Sequence, residues 1–158
     1  MTENHTTLAA FYKGWDDYQE LLIKAIAPLS PDQLALQAAA QLRSIGAIAA
    51  HIISARVWWF HNIMGEGSAD IASMVSWDDD GAPSRTATEL VSGLESTWLM
   101  IQNALERLTP ADLERRFQRR ETTVSRQWII WHVIEHDLHH GGELSYSLGM
   151  HELAAPDL

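Results

Sequence analysis

Trp131-His132-Val133-Ile134-Glu135-His136-Asp137-Leu138-His139-His140-Gly141-Gly142-Glu143 reads as a helix with a stripe of imidazole on one face. Residues four apart stand one above another on a helix. His132, His136 and His140 therefore share a line, with Glu143 close to its continuation. Burying unpaired imidazoles is costly. Two histidines at i, i+4 can chelate one divalent cation, which resolves the conflict. The spacing predicts a helix from about Arg126 to Leu148, stopped at Gly149.

Two ligands from one helix rarely complete a site, so a further one is expected from a neighbouring helix. His51 sits in Ile48-Ala49-Ala50-His51-Ile52-Ile53, where Ala47, Ala49 and Ala50 let another helix approach closely. Ile45, Ile48, Ile52, Ala55 and Trp59 carry the helical rhythm of a segment from about Leu42 to Met64, which Gly65 and Gly67 end. His61 falls three turns further on and reads as rim or surface; His5 and His151, near the termini, read as solvated.

Two more helices follow from the same periodicity. Leu8, Phe11, Trp15, Tyr18, Leu22 and Ala25 form an inner stripe closed by Pro28. Thr86-Ala87-Thr88-Glu89 is a capping box that opens a helix with Leu90, Leu94, Trp98, Ile101, Leu105 and Leu108 inward. No segment shows the two-residue alternation of a strand. The expectation is an all-α fold of four long helices. Leu29-Ser30-Pro31-Asp32-Gln33-Leu34 and Leu108-Thr109-Pro110-Ala111-Asp112-Leu113 are similar turns in which Ser or Thr caps a Pro-started turn.

Gly65 to Arg85 has no period and exceeds the ~12–15 residues of an ordinary connection. It is either a long crossover over a site or a mobile loop, and Asp78-Asp79-Asp80 within it reads as a solvated acidic turn before a cation ligand. Between Glu114 and Arg126 lie Arg115, Arg116, Arg119, Arg120 and Arg126. They read as a solvated face or as a cluster that receives an anionic group, for which Arg119, Arg120 and Arg126 are the candidates.

Composition excludes several classes of function. The chain has 158 residues, 11 basic and 21 acidic, for a net charge of −10. Residues 1–158 are expected to form a single domain able to bury a core. The acidic balance argues against nucleic acid or an anionic membrane as partner. With no cysteine there is no disulfide scaffold, thiolate zinc site or cysteine nucleophile. No targeting segment and no run of ~20 apolar residues is visible, so a cytoplasmic location is expected.

His51 in an early helix, a long crossover, then Trp-His-x-x-x-His-x-x-His-His-x-Gly near the C-terminus resembles the DinB-like (YfiT-type) family over nearly the whole chain. The resemblance implies a four-helix bundle of up-up-down-down type with a divalent metal held by His51, His136 and His140. It sets His132 beside the metal, one turn below the pair, and turns His139 away from it. It also implies a homodimer, for which Trp98 or Trp15 would supply the contact. Many members carry Arg-Gly-Gln after the last ligand, where this chain has Gly141, Gly142 and Glu143. That removes a cation beside the site and puts substrates known from Arg-containing relatives in doubt.

Three neutral imidazoles leave the metal an open position, the pattern of catalytic sites, where bound water or an incoming thiol loses its proton readily. All-imidazole ligation suits Zn, Ni, Cu or Fe without choosing among them, and Zn or Ni is the expectation. Glu143 is a candidate general base, and Glu135 a candidate acceptor that orients an imidazole. Trp58, Trp59, Trp128 and Trp131 lie on the ligand-bearing helices; most are expected in the core, with one or two able to wall an apolar pocket for a small-molecule substrate. The resemblance implies a metal-dependent hydrolase or a thiol S-transferase of the kind that uses bacillithiol or mycothiol, maleylpyruvate isomerase-type relatives included. In the second case the sulfur must arrive with a low-molecular-weight thiol, whose carboxylates the arginine cluster could hold. The alternative is a non-catalytic metal-binding, stress-related interaction protein in which the ion only fastens two helices.

Overall fold

The computed structural model describes residues 6–157. Four long helices dominate it: α1 (Lys13–Ile26), α3 (Ile45–Arg56), α4 (Ala87–Arg107) and α5 (Arg126–Met150), with a single-turn helix α2 (Pro31–Leu34) after α1. The architecture is the expected all-α four-helix bundle of up-up-down-down type. The capping chemistry read from the sequence is in place. Ser30 with Gln33, and Thr86 with Glu89, satisfy each other's backbone donors, and Ser44 and Ser125 accept from Ala47 and Trp128 at the starts of α3 and α5.

Four details depart from the expectation. Leu8–Phe11 is a separate 3-10 turn, and Tyr12, at φ −119°, interrupts the helix before Lys13. The tighter turn rotates Phe11 out of the stripe, and its ring is exposed while Leu8 and Trp15 stay buried. The helix of His51 does not begin at Leu42. It starts at Ile45 and continues past Arg56 as a π-helical segment, Val57–Ile63, that turns Trp58 outward and Trp59 inward. Gly65 at φ 76° closes it, with the Glu66 amide donating back to Phe60. Gly149, expected as a stop, lies inside α5.

The last departure is a β-hairpin: β1 (Arg116–Arg119) pairs antiparallel with β2 (Thr122–Ser125), in the register Phe117–Val124 and Arg119–Thr122. Each strand has four residues and Phe117 is its only buried side chain, so two-residue alternation had too little length to show. Arg120 turns the hairpin at φ 51°. The 65–85 crossover is not loose. Ala69–Ser76 forms 3-10 turns, Ile71 is buried, Ser54 donates to the Met74 carbonyl at 3.0 Å, and Trp77 packs on Gly93 of α4.

Between the apolar clusters of the core runs a buried polar network. Arg56 of α3 and Asp137 of α5 are both fully buried and bonded at 2.7 Å. Asp137 also accepts from Trp15 Nε1 at 2.8 Å, and Arg56 donates to Gln19 Oε1 at 2.7 Å and to the Leu94 carbonyl. All four long helices therefore meet at one ion pair. Trp15 and Trp98, expected at a dimer contact, are buried, with Trp98 Nε1 bonded to Asp16. Their indoles belong to the interior. No helix among the described residues is long and apolar enough to cross a membrane.

Candidate metal centre

α3 and α5 pack side by side, and the small Ala49 and Ala50 of α3 are buried. His51 on α3 thereby reaches His136 and His140, one turn apart on α5. One ring nitrogen from each lies within 4.8 Å of the other two. His51 Nε2 and His136 Nε2 are 3.1 Å apart, and the His140 ring centroid is 4.5 Å from that of His51 and 4.4 Å from that of His136.

Carboxylates set two of the three tautomers. Asp78 Oδ2 lies 2.5 Å from His51 Nδ1, and Glu143 Oε2 lies 2.6 Å from His140 Nδ1. A proton held on each Nδ1 leaves Nε2 as a bare lone pair aimed into the group. His136 has a buried Nδ1 without a partner, and its pKa is pushed from 6.5 down to about 3, first by burial and then by His140, His51 and His132. Burial also lowers the pKa of His140. Burial thus disposes His136 and His140 to be neutral, and one ring nitrogen from each of the three histidines faces the group. That donor set fits a divalent cation.

The other expected residues fall around this group. His132 lies one turn below His136, stacked on Trp128 at 4.7 Å and edge-on to Trp59 at 4.9 Å, with the Glu135 carboxylate 3.5 Å from its Nδ1. His139 is exposed and touches only the edge of His140. His61, expected at the rim, is half-buried and tied to the Glu66 carbonyl at 2.7 Å, whereas His151, expected to be solvated, is tied to the Gln37 carbonyl at 3.0 Å. His5 lies outside the described residues. Glu143 is engaged with His140 rather than facing open space.

The three candidate arginines part company. Arg126 is buried, donates to the Asp112 carbonyl and sits over Phe117. Arg120 is at the hairpin turn. Only Arg119 approaches the metal-site aromatics, its guanidinium 5.0 Å from the Trp59 ring and 5.5 Å from that of Trp128.

A cavity of about 300 Å³ opens beside the histidines, lined by His51, His132, His136, Trp58, Trp59 and Asp78 among others. A larger one, about 660 Å³, lies on the other side of Asp78, against the start of α3 and residues 77–86. Asp78, which reads from the sequence as part of a solvated acidic turn, instead engages His51. It sits in an acidic triplet, and nothing in the local pattern separates it from its solvated neighbours. Gly141 has a local explanation: a Cβ there would lie 1.8 Å from the Tyr18 hydroxyl, so Tyr18 fills the space that a side chain after His140 would need.

The class so defined is a helical bundle with three histidines on two adjacent helices, open on one side, that could hold a metal ion. Residues 11–144 match the model of the DinB superfamily, and the chain belongs to that superfamily. A DinB-like protein from Bacillus cereus is similar in structure, with a TM-score of 0.76 at 20% identity over 98% of this chain and 99% of that one. A DinB-like protein from Bacillus subtilis gives 0.65 at 18% identity over 89% and 90%. No curated protein sequence matches.

Proposed function

We propose that the chain is a divalent-metal enzyme acting on a small molecule in the cytoplasm, by S-transfer from a low-molecular-weight thiol or by hydrolysis, with Zn or Ni held by His51, His136 and His140. One observation carries this reading. Three imidazoles converge from two helices, two of them fixed by carboxylates, beside an open cavity, which leaves a bound ion accessible. A closed structural site would use a fourth protein ligand.

A bound divalent ion would supply Lewis acidity and lower the pKa of a water or thiol at its open position. The chain's own groups do the positioning. Asp78 and Glu143 hold protons on Nδ1 of His51 and His140 and fix both rings. Trp58 and Trp59 present apolar wall to the substrate and limit the water around it. The Arg56–Asp137 pair already ties α3 to α5, so the bundle has a fastening that does not depend on an ion. The proposal extends to a homodimer through the exposed face of α5, where Trp131, Leu138, Tyr146 and Met150 recur at helical spacing.

Elemental analysis of protein purified without an affinity tag, followed by single-turnover assays with a panel of thiols, electrophiles and esters, tests the reading. One equivalent of metal and a turnover lost in His136→Ala are expected. Retained activity in that variant sinks the proposal. A chelator that lowers the melting temperature while no substrate is ever consumed favours the non-catalytic alternative.

A further inference from the structure

Beside the metal-site cavity is an aromatic shelf with a guanidinium at its end. Trp59 and His132 line the cavity. Trp128 lies parallel to His132, at 11° between ring planes, and edge-on to Trp59 at 5.4 Å. Arg119 sits over both tryptophans. It comes from β1, which packs against the Val57–Ile63 segment that carries Trp58 and Trp59.

Among the described residues the Arg119 side chain is uncommitted and, unlike the equally unbonded side chains of Arg115 and Arg120, lies over the aromatics beside the cavity. Arg116 donates to Thr123, Arg126 to the Asp112 carbonyl, and Arg115 lies over Phe117. Among the described residues the Arg119 guanidinium makes no hydrogen bond and no ion pair; its stacking on indole is its only contact of note. Stacking occupies the face of a guanidinium and leaves the N–H groups at its edge pointing outward. It also fixes a long side chain that would otherwise lose rotamer entropy on binding. A stacked, unpaired guanidinium is thus prepared for one kind of partner, a carboxylate or similar planar anion bound through two parallel N–H···O bonds.

We infer that Arg119 and the Trp59–Trp128–His132 shelf form the specificity end of the site, receiving the carboxylate of a substrate whose planar, unsaturated or aromatic body lies between the shelf and the three histidines. This rests on the small-molecule reading of the metal centre and adds the substrate's class to it. Trp128 is stacked on His132 and Trp59 meets both edge-on, so the body meets ring edges as well as faces. An aromatic or unsaturated planar body makes the better edge-to-face contacts with them. The charge requirement comes from Arg119 alone, on a chain whose net charge of −10 otherwise repels anions.

The test is calorimetric titration of EDTA-treated full-length protein with trans-cinnamate, with cinnamamide and with hexanoate. Removing metal first ensures that coordination of the carboxylate to an ion produces none of the signal. Cinnamate is expected to bind about tenfold more tightly than the neutral amide, the effect of one charge-assisted pair, and more tightly than the flexible acid. Arg119→Gln is expected to abolish the acid-over-amide preference, while Arg120→Gln, on the same hairpin, keeps it. Equal binding of acid and amide, a preference that survives Arg119→Gln, or no saturable binding of cinnamate up to millimolar concentration overturns the Arg119 assignment. Hexanoate binding as well as cinnamate overturns the planar body. Failure of the metal reading is seen separately, as absence of bound metal in elemental analysis, and does not alter the acid-to-amide ratio.

Discussion

Asp78 Oδ2 lies 2.5 Å from His51 Nδ1, so the crossover between α3 and α4 supplies the group that sets one metal-facing imidazole. The contact couples a loop residue to a helix residue 27 positions earlier. Carboxylates behind ligating histidines fix the tautomer and raise ligand basicity, and their removal costs about 10–100-fold in metal affinity. Asp78→Asn is therefore expected to weaken Zn²⁺ binding by roughly that factor with the melting temperature of the metal-free protein nearly unchanged. Competition with a chromophoric chelator measures it. His51→Ala, which removes the nitrogen itself, should lose more.

A second prediction concerns the interior. Arg56 and Asp137 are fully buried, and Asp137 also accepts from Trp15. Replacing one partner of such a pair strands the other charge, at about 3–5 kcal/mol. Asp137→Asn should lower the urea midpoint accordingly. The double variant Arg56→Met with Asp137→Leu, which strands nothing, should be more stable than Asp137→Asn. The reverse order would show that Trp15 and Gln19, rather than the charge, hold the network together.

These two cases show what the sequence made legible. Periodicity and capping residues place α4 and α5 to within a few residues, because Thr86–Glu89 and the apolar stripes act locally, whereas the stripe from Leu8 runs through the break at Tyr12 that precedes α1. The i, i+4 spacing put His136 and His140 on one face for the same reason. His51 was harder to place. It needed the pairing of two helices, which short-range pattern implies only through the small residues beside it and which the family resemblance supplied. Asp78, Arg56 and Asp137 were not legible as partners. Their roles depend on residues 27 to 122 positions away, and nothing near them in the chain marks an acidic or basic side chain as buried or engaged. The hairpin escaped notice because Phe117 and Val124 are its only apolar cross-strand pair.

Gly141 offers a third test. A Cβ there would meet the Tyr18 hydroxyl at 1.8 Å and its ring carbon at 2.7 Å. Gly141→Ala forces Tyr18 or α5 to shift, at a cost of about 1–3 kcal/mol typical of overpacking. Removing the hydroxyl in Tyr18→Phe relieves the closer contact and leaves the ring contact. The double variant should recover part of the loss in chemical denaturation. Strict additivity of the two changes would show that Tyr18 is not what excludes a side chain at this position.

The pH dependence of the metal-free protein follows from His136. Its folded pKa is about 3 against an ordinary 6.5, chiefly from burial. Between those values the unfolded chain binds a proton that the folded chain excludes, so the unfolded state gains as acid is added. The contribution of His136 to stability is fully present above 6.5 and declines as the pH falls toward 3. His140, also lowered by burial, adds in the same sense. Urea midpoints of EDTA-treated protein should therefore decrease steadily from pH 7 to pH 4. His136→Asn, which cannot take up that proton, should make the profile flatter over this interval. A profile equally steep in the variant would assign the acid sensitivity to other groups.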